Sequence, residues 1–261
     1  MPTENLTFTS ATGHELAAVL DVPEGPAVGW GVMSHGFTLG KDSHATARVC
    51  RELARRGVGM LRYDNLGLGG SEGDFADTSF SLKVQDTVLA AEELRRLGHE
   101  PELLVGHSLG GAAVLAAAAE IRPHAVATIG APFHPGHVTH NFEHLMADIE
   151  AQGSAELKLG PRRLEITRAF IEDVEQHDLR GYIRDLDAAL LVMHSPTDNT
   201  VGLDNAGKIF TEARHPKSFF SLDGADHLLT RRIHGARAAA MIAAWADQYF
   251  SGAEQAARAA D

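Results

Sequence analysis

Apolar and polar positions alternate through residues 6–10 and 16–22 on either side of the polar turn Ala11-Thr12-Gly13-His14-Glu15, which predicts an antiparallel hairpin. A different rhythm follows. Short apolar runs at 28–34, 58–63, 103–105 and 125–129 are separated by longer stretches of helical periodicity at 44–56, 81–97 and 111–119. Strands in strict alternation with helices predict a mostly parallel sheet covered on both faces. After Ala131-Pro132 the rhythm breaks for about 50 residues, roughly 133–182, before apolar strands resume at 189–193 and 218–222. Inside the break, 140–152 reads as helix, 156–166 as a hairpin around Gly160-Pro161, and 168–177 as helix. An insertion at that point is expected to lie over the carboxyl ends of the strands as a small cap. An alanine-rich helix at 233–250 closes the pattern, and the tail 251–261 is expected to fray.

The length of 261 residues fits one α/β domain over 1–261, doubly wound, with the cap as an insertion rather than a second domain. Lys and Arg total 23 against 35 Asp and Glu, a net charge of -12, which disfavours nucleic acid and anionic membrane surfaces as partners. No stretch approaches the ~20 apolar residues of a membrane span, and the first residues lack a basic segment leading into an apolar run. A cytoplasmic protein is therefore expected, and nothing in the sequence sets its oligomeric state. Cys50 is the one cysteine, placed in an apolar helical pattern that marks it as core.

The candidate chemistry centres on Gly106-His107-Ser108-Leu109-Gly110, between the run 103–105 and the helix 111–119. A serine between glycines at a strand-to-helix turn predicts a nucleophile elbow, since only small flanking residues let the helix pass close to the strand. Such a serine needs a base. His227, just after the last predicted strand in Gly224-Ala225-Asp226-His227-Leu228, is the candidate. The acid that orients it should follow the preceding strand, which selects Asp198 ahead of Asp226, Asp204 and Asp185. Two backbone N–H groups should receive a developing oxyanion: Leu109, next to the serine, and Phe37 in Ser34-His35-Gly36-Phe37. Phe133, Phe142, Leu145 and Phe170, in the predicted cap, are candidates to line an apolar pocket. His134, His137, His140 and His144 lack the carboxylate and cysteine company of a metal site, and no metal is expected. Gly67-Leu68-Gly69-Gly70-Ser71 lacks the ending of a phosphate loop and reads as a tight turn organised by Asp64.

Together with His35-Gly36-Phe37-Thr38, Lys41-Asp42-Ser43 and Arg62-Tyr63-Asp64, these motifs resemble the serine hydrolases of the α/β-hydrolase superfamily over essentially the whole chain. Among its branches the chain looks most like the one whose members are often fused to OsmC-type domains. The resemblance implies an α/β-hydrolase fold, a triad of Ser108, His227 and Asp198, and cofactor-free hydrolysis of a small-molecule ester or amide. A serine in the elbow speaks against the epoxide and haloalkane chemistries that use aspartate. Carboxylic ester hydrolysis leads. Thioester, perhydrolase or other acyl transfer on the same triad is the alternative, and a non-catalytic partner of a redox or stress protein is a third reading that the intact triad disfavours.

Overall fold

A computed structural model describes residues 2–251, so of the tail expected to fray only Ser251 lies among the described residues. In chain order the elements are β1 (Thr3–Thr9), β2 (Glu15–Asp21), β3 (Gly29–Ser34), α1 (His44–Ala54), β4 (Val58–Tyr63), α2 (Phe80–Arg96), β5 (Pro101–His107), α3 (Leu109–Ile121) and β6 (Ala125–Ile129). There follow α4 (Met146–Gln152), β7 (Ser154–Leu159), β8 (Arg162–Thr167), α5 (Arg168–Gln176), α6 (Arg180–Arg184), β9 (Ala189–His194), α7 (Asp204–Glu212), β10 (Lys217–Ser221) and α8 (Arg232–Ala246).

Eight strands form one sheet in the order β1-β2-β4-β3-β5-β6-β9-β10. β2 runs antiparallel to β1 and β4, and the pairings from β4 to β10 are parallel. The apolar runs are continuous because both faces are covered, and successive side chains serve opposite layers. Val32, Leu104 and Val126 pack toward α2 and α3, while their neighbours Met33, Leu103, Val105, Ala125 and Ala127 pack toward α1 and α8. Cys50 is fully buried in the second layer, where burial pushes its thiol up.

From β3 the chain steps to β4 on one side, then returns to β5 on the other. That reversal leaves a crevice beyond the carboxyl ends of β3 and β5, the place where open α/β sheets bind ligands. Ser34 ends β3 and leads into His35-Gly36-Phe37, and His107 ends β5 and leads into Ser108.

Between β6 and β9 stand a 3₁₀ stretch, Pro135–Leu145, kinked at Phe142, then α4, the β7–β8 hairpin, α5 and α6. The helix expected over 140–152 is thus tight 3₁₀ turns up to residue 145 and α-helix only afterwards. Ile149, Leu157, Leu164, Ile166, Phe170 and Val174 from this insertion join the apolar layer of α2 and α3. It therefore shares the main core. Ser81 at the start of α2 donates through its N–H (2.9 Å) and hydroxyl (2.5 Å) to the Asp173 carboxylate, and Arg162 Nη1 donates to the Thr38 carbonyl at 2.8 Å. The insertion is docked on the loop that carries Phe37.

Two further elements differ from the sequence reading. α7 has no counterpart in the sequence reading: Ala206 and Ile209 sit on its buried side, and Gly202, Asn205 and Gly207 mask the period. The C-terminal helix ends at Ala246 and passes into a 3₁₀ turn, Asp247–Tyr249.

Candidate active site

Ser108 has φ 55° and ψ -127°, a conformation that L-residues avoid and that costs on the order of 1–3 kcal/mol. The packing around it accounts for the strain. A Cβ on Gly106 would stand 2.3 Å from the Gly110 carbonyl oxygen, and one on Gly110 would stand 2.1 Å from that of Ser34. Strand, elbow and helix therefore touch backbone to backbone, and α3 begins at Leu109 with Ser108 at its N-cap. The Leu109 N–H, in the first turn, donates to no acceptor among the described residues, and neither does that of Phe37. Both donors are left available beside the serine, one of them at the positive end of a helix dipole.

Opposite the hydroxyl, His227 Nε2 lies 2.9 Å from Ser108 Oγ, and His227 Nδ1 lies 2.7 Å from Asp198 Oδ2. The second contact assigns the ring proton to Nδ1, because an ionised carboxylate only accepts. Nε2 is then free to accept from the serine. The other oxygen, Asp198 Oδ1, accepts from the N–H groups of Thr200 and Val201, each at 2.9 Å. Burial pushes this carboxyl up, but the hydrogen bond and charge of His227 and the two N–H groups outweigh it and hold it below the usual range. Gly130 turns at φ 58° beneath the pair. A Cβ there would lie 3.3 Å from both Asp198 Oδ2 and His227 Nδ1, so a side chain would crowd the contact.

The three rival acids are engaged elsewhere. Asp226 caps its own turn, accepting from the Thr230 N–H at 2.9 Å and from the Thr230 hydroxyl. Asp204 pairs with Lys208 at 2.7 Å, and Asp185 sits at the surface with Arg184 and Arg214. Three of the four cap histidines are bound to backbone: the Gly136 N–H donates to His134 Nδ1, His137 Nε2 donates to the Thr200 carbonyl, and His140 Nδ1 donates to that of His137.

The loop from β3 is held on several sides. His35 donates from Nδ1 to the Gly36 carbonyl (2.7 Å) and accepts at Nε2 from the Asn65 N–H (3.3 Å). Asp64 accepts from the Lys41 N–H (2.6 Å), Lys41 Nζ (2.7 Å) and the Gly70 N–H (2.9 Å), joining this loop to the tight turn after β4. The buried Arg62 donates to Asp21 at 2.7 Å and to Asp42 at 2.6 Å. Beside the elbow, Phe37, Phe75, Leu82, Leu109 and Phe170 wall a cavity of about 30 Å³. Of the four aromatic and aliphatic residues expected to line a pocket, Phe170 lines this cavity. Phe142 is fully buried with its ring 5.6 Å from that of Phe37, Phe133 lines a separate open groove with His134 and His137, and Leu145 packs against the core without reaching the cavity.

Comparison with known proteins agrees with this architecture. A family model described as serine aminopeptidase, S33, matches residues 28–181, more than half of the chain. The chain belongs to this family of α/β hydrolases. An esterase domain from a Rhodothermus marinus protein is 39% identical, over 95% of this chain and 99% of that one, with a TM-score of 0.77. The ferulic-acid complex of Est1E from Butyrivibrio proteoclasticus (18% identical, 94% and 98% covered, TM-score 0.76) and mouse alpha/beta hydrolase domain-containing protein 10 (20%, 94% and 99%, 0.75) share the fold. No curated protein sequence matches the chain significantly. Among the described residues of the hydrolase no helix is long and apolar enough to cross a membrane, and no group of three or more His, Cys, Asp and Glu side chains could hold a metal ion.

Some residues that shape the hydrolase's site carried no motif. His107, in sequence merely the residue before the nucleophile, is fully buried and donates from Nε2 to the His227 carbonyl at 2.7 Å, holding the loop that carries His227. Burial, then the nearby His227, hold its pKa down to about 3. The folded value lies below the unfolded ~6.5, so between the two the unfolded chain binds the extra proton. Stability from His107 is then complete above pH 6.5 and declines as pH falls toward 3. By pH 5 the decline is about 2 kcal/mol. Urea unfolding at pH 7.5 and pH 5 should show this loss in the wild type and a loss smaller by about that amount in His107→Gln, which keeps a donor for the carbonyl. Equal losses in the two proteins would contradict the assignment.

Proposed function

We propose that the hydrolase cleaves carboxylic esters of small molecules through an acyl-enzyme on Ser108. The observation that carries this reading is the continuous contact from Ser108 Oγ through His227 to Asp198. As Oγ attacks the ester carbonyl carbon, His227 Nε2 takes its proton, and the carbonyl oxygen becomes an oxyanion received by the Phe37 and Leu109 N–H groups. Asp198 stays ionised, keeps the imidazole in the tautomer that can accept, and stabilises it once it is charged. The intermediate collapses as Nε2–H protonates the departing alkoxide. Water then attacks the acyl-enzyme by the same route in reverse, returning Ser108 and releasing the acid.

An ester is favoured over an aminoacyl amide by what surrounds the serine. A free α-ammonium needs a carboxylate to receive it. The one carboxylate lining the cavity is Asp86, and Lys83 lines the same cavity, with walls of Phe37, Phe75, Leu82 and Phe170. The Rhodothermus marinus relative, an esterase domain, supports the same choice. With purified protein, kcat/KM for a p-nitrophenyl alkanoate should exceed that for an aminoacyl p-nitroanilide by about 10³-fold or more. Comparable values, or a preference for the anilide, would contradict the ester assignment.

A further inference from the structure

Helix α1 and its C-cap carry Arg48, Arg51 and Arg55 at spacings of three and four residues, so the three guanidinium groups lie along one stripe. Arg232, in the first turn of α8, joins them in lining a groove of about 290 Å³ whose walls also hold Asp42 and Glu52. Both carboxylates are engaged elsewhere. Asp42 accepts from the buried Arg62 at 2.6 Å and lies 3.3 Å from Lys41 Nζ, while Glu52 pairs with Arg55 at 2.5 Å and Arg56 at 3.1 Å. Arg48, Arg51 and Arg232 have no carboxylate within ion-pair distance among the described residues. In a chain with 35 acidic residues against 23 Lys and Arg, three such groups around one concavity reverse the local sign of charge. One of the three is fixed in advance. Arg48 is half-buried, its stem lies against α8 where a Cβ on Gly235 would stand 2.9 Å from Arg48 Cδ, and its Nη1 donates to the carbonyls of Leu229 (3.0 Å) and Thr230 (3.2 Å). Leu229 needs that hold, since its φ of 49° is one that few non-glycine residues adopt. Nε and Nη2 of Arg48 donate to no acceptor among the described residues.

We propose that this groove binds a small anion carrying two or more negative charges on oxygen, a diphosphate or a polycarboxylate, held by Arg48, Arg51 and Arg232. Ser108, His227 and Asp198 do not line the groove, so the site is separate from the candidate active site. A guanidinium fork presents parallel N–H groups to a carboxylate or a phosphate, and three forks around one space exceed what a single monovalent anion neutralises. The volume suits a compact molecule. An extended polyanion such as nucleic acid is disfavoured, because the net charge of -12 repels whatever lies beyond the groove, whereas a compact anion feels chiefly the charges within a Debye length of roughly 8–10 Å. Bound there, the anion bridges α1 to α8 across the seam that Arg48 closes and braces the turn that follows His227. Binding to the folded chain alone also raises its stability.

The test is calorimetric titration of the purified protein with sodium pyrophosphate and with citrate, in metal-free buffer of low ionic strength at pH 7.5, with acetate as the monovalent control. At least one of the two should bind at a single site with Kd below about 0.5 mM and at least tenfold more tightly than acetate. Arg51→Gln and Arg232→Gln change exposed side chains, so both variants should fold, and each should weaken binding about tenfold. At 100 times Kd the anion should raise the wild-type unfolding temperature by about 5 °C, and by less at the same concentration in the variants, which separates binding from a general salt effect. Pyrophosphate binding without citrate assigns a phosphoryl ligand, and the reverse a polycarboxylate. Kd above about 0.5 mM for both anions, acetate binding as tightly as either, or wild-type affinity in both variants would overturn the proposal.

Discussion

Ser108→Ala lowers kcat on a p-nitrophenyl ester by about 10⁴- to 10⁶-fold while leaving the unfolding midpoint nearly where it was. The size follows from the chain of contacts. Ser108 Oγ is the atom His227 deprotonates, and without it the imidazole and Asp198 have nothing to activate, so the three act as one unit whose loss is not shared out among them. What remains is binding plus the two N–H donors, which still leave turnover above the uncatalysed rate. The fold is little affected because the substitution removes one partly exposed hydroxyl and keeps the Cβ that the elbow already accommodates. Steady-state kinetics and urea unfolding on the same preparation check both halves. A fall of less than tenfold would mean the hydroxyl is not the nucleophile.

Gly110→Ala is the second large effect, and it acts through the backbone. The added Cβ would sit 2.1 Å from the Ser34 carbonyl oxygen and 2.5 Å from that of His35. Neither atom is the end of a flexible side chain, so α3 must move off β3 or the His35–Phe37 loop must move off α3. Either way the Phe37 and Leu109 N–H groups part. Destabilisation above about 4 kcal/mol is expected, in the exceptional class of backbone strain and overpacking, with activity lost in whatever folds. Gly207→Ala is the matched control: Gly207 lies in α7, exposed, with nothing within 4 Å of the added Cβ, and alanine there should stabilise by about 0.5–1 kcal/mol. Unfolding curves of the two variants should move in opposite directions, and a folded, active Gly110→Ala would refute the tight-contact account of the elbow.

What could be read from the sequence was whatever local chemistry dictates. Ser108, Asp198 and His227 each follow a strand, so an alternating pattern was enough to put them at one end of a sheet, and the structure brings their side chains into contact. The two-sided burial of β3, β5, β6 and β9 was legible for the same reason, as unbroken apolar runs. The pocket was not. Phe142 and Phe170 are both aromatic residues of the insertion, and only the kink at Phe142 and the packing of both on Phe37 decide that one is sealed in the core and the other faces the cavity. Lys83 and Asp86 carry no sequence signal, because a charged residue on a helix is ordinarily solvated; both are buried, Lys83 where it donates to Asn65 in the turn after β4 and Asp86 where it accepts from the Ala11 N–H of the β1–β2 turn. Gly130 and His107 are small or ordinary in sequence and matter through close approach to His227, a long-range contact that no periodicity encodes.

The account's central claim is that Ser108 is a nucleophile activated by His227, and covalent capture tests it most directly. A fluorophosphonate incubated with the folded wild type should add one mass increment to the intact protein, peptide mapping should place it on Ser108, and His227→Ala should slow the reaction by orders of magnitude. A folded wild type that stays unmodified, or one modified at a residue other than Ser108, would contradict it.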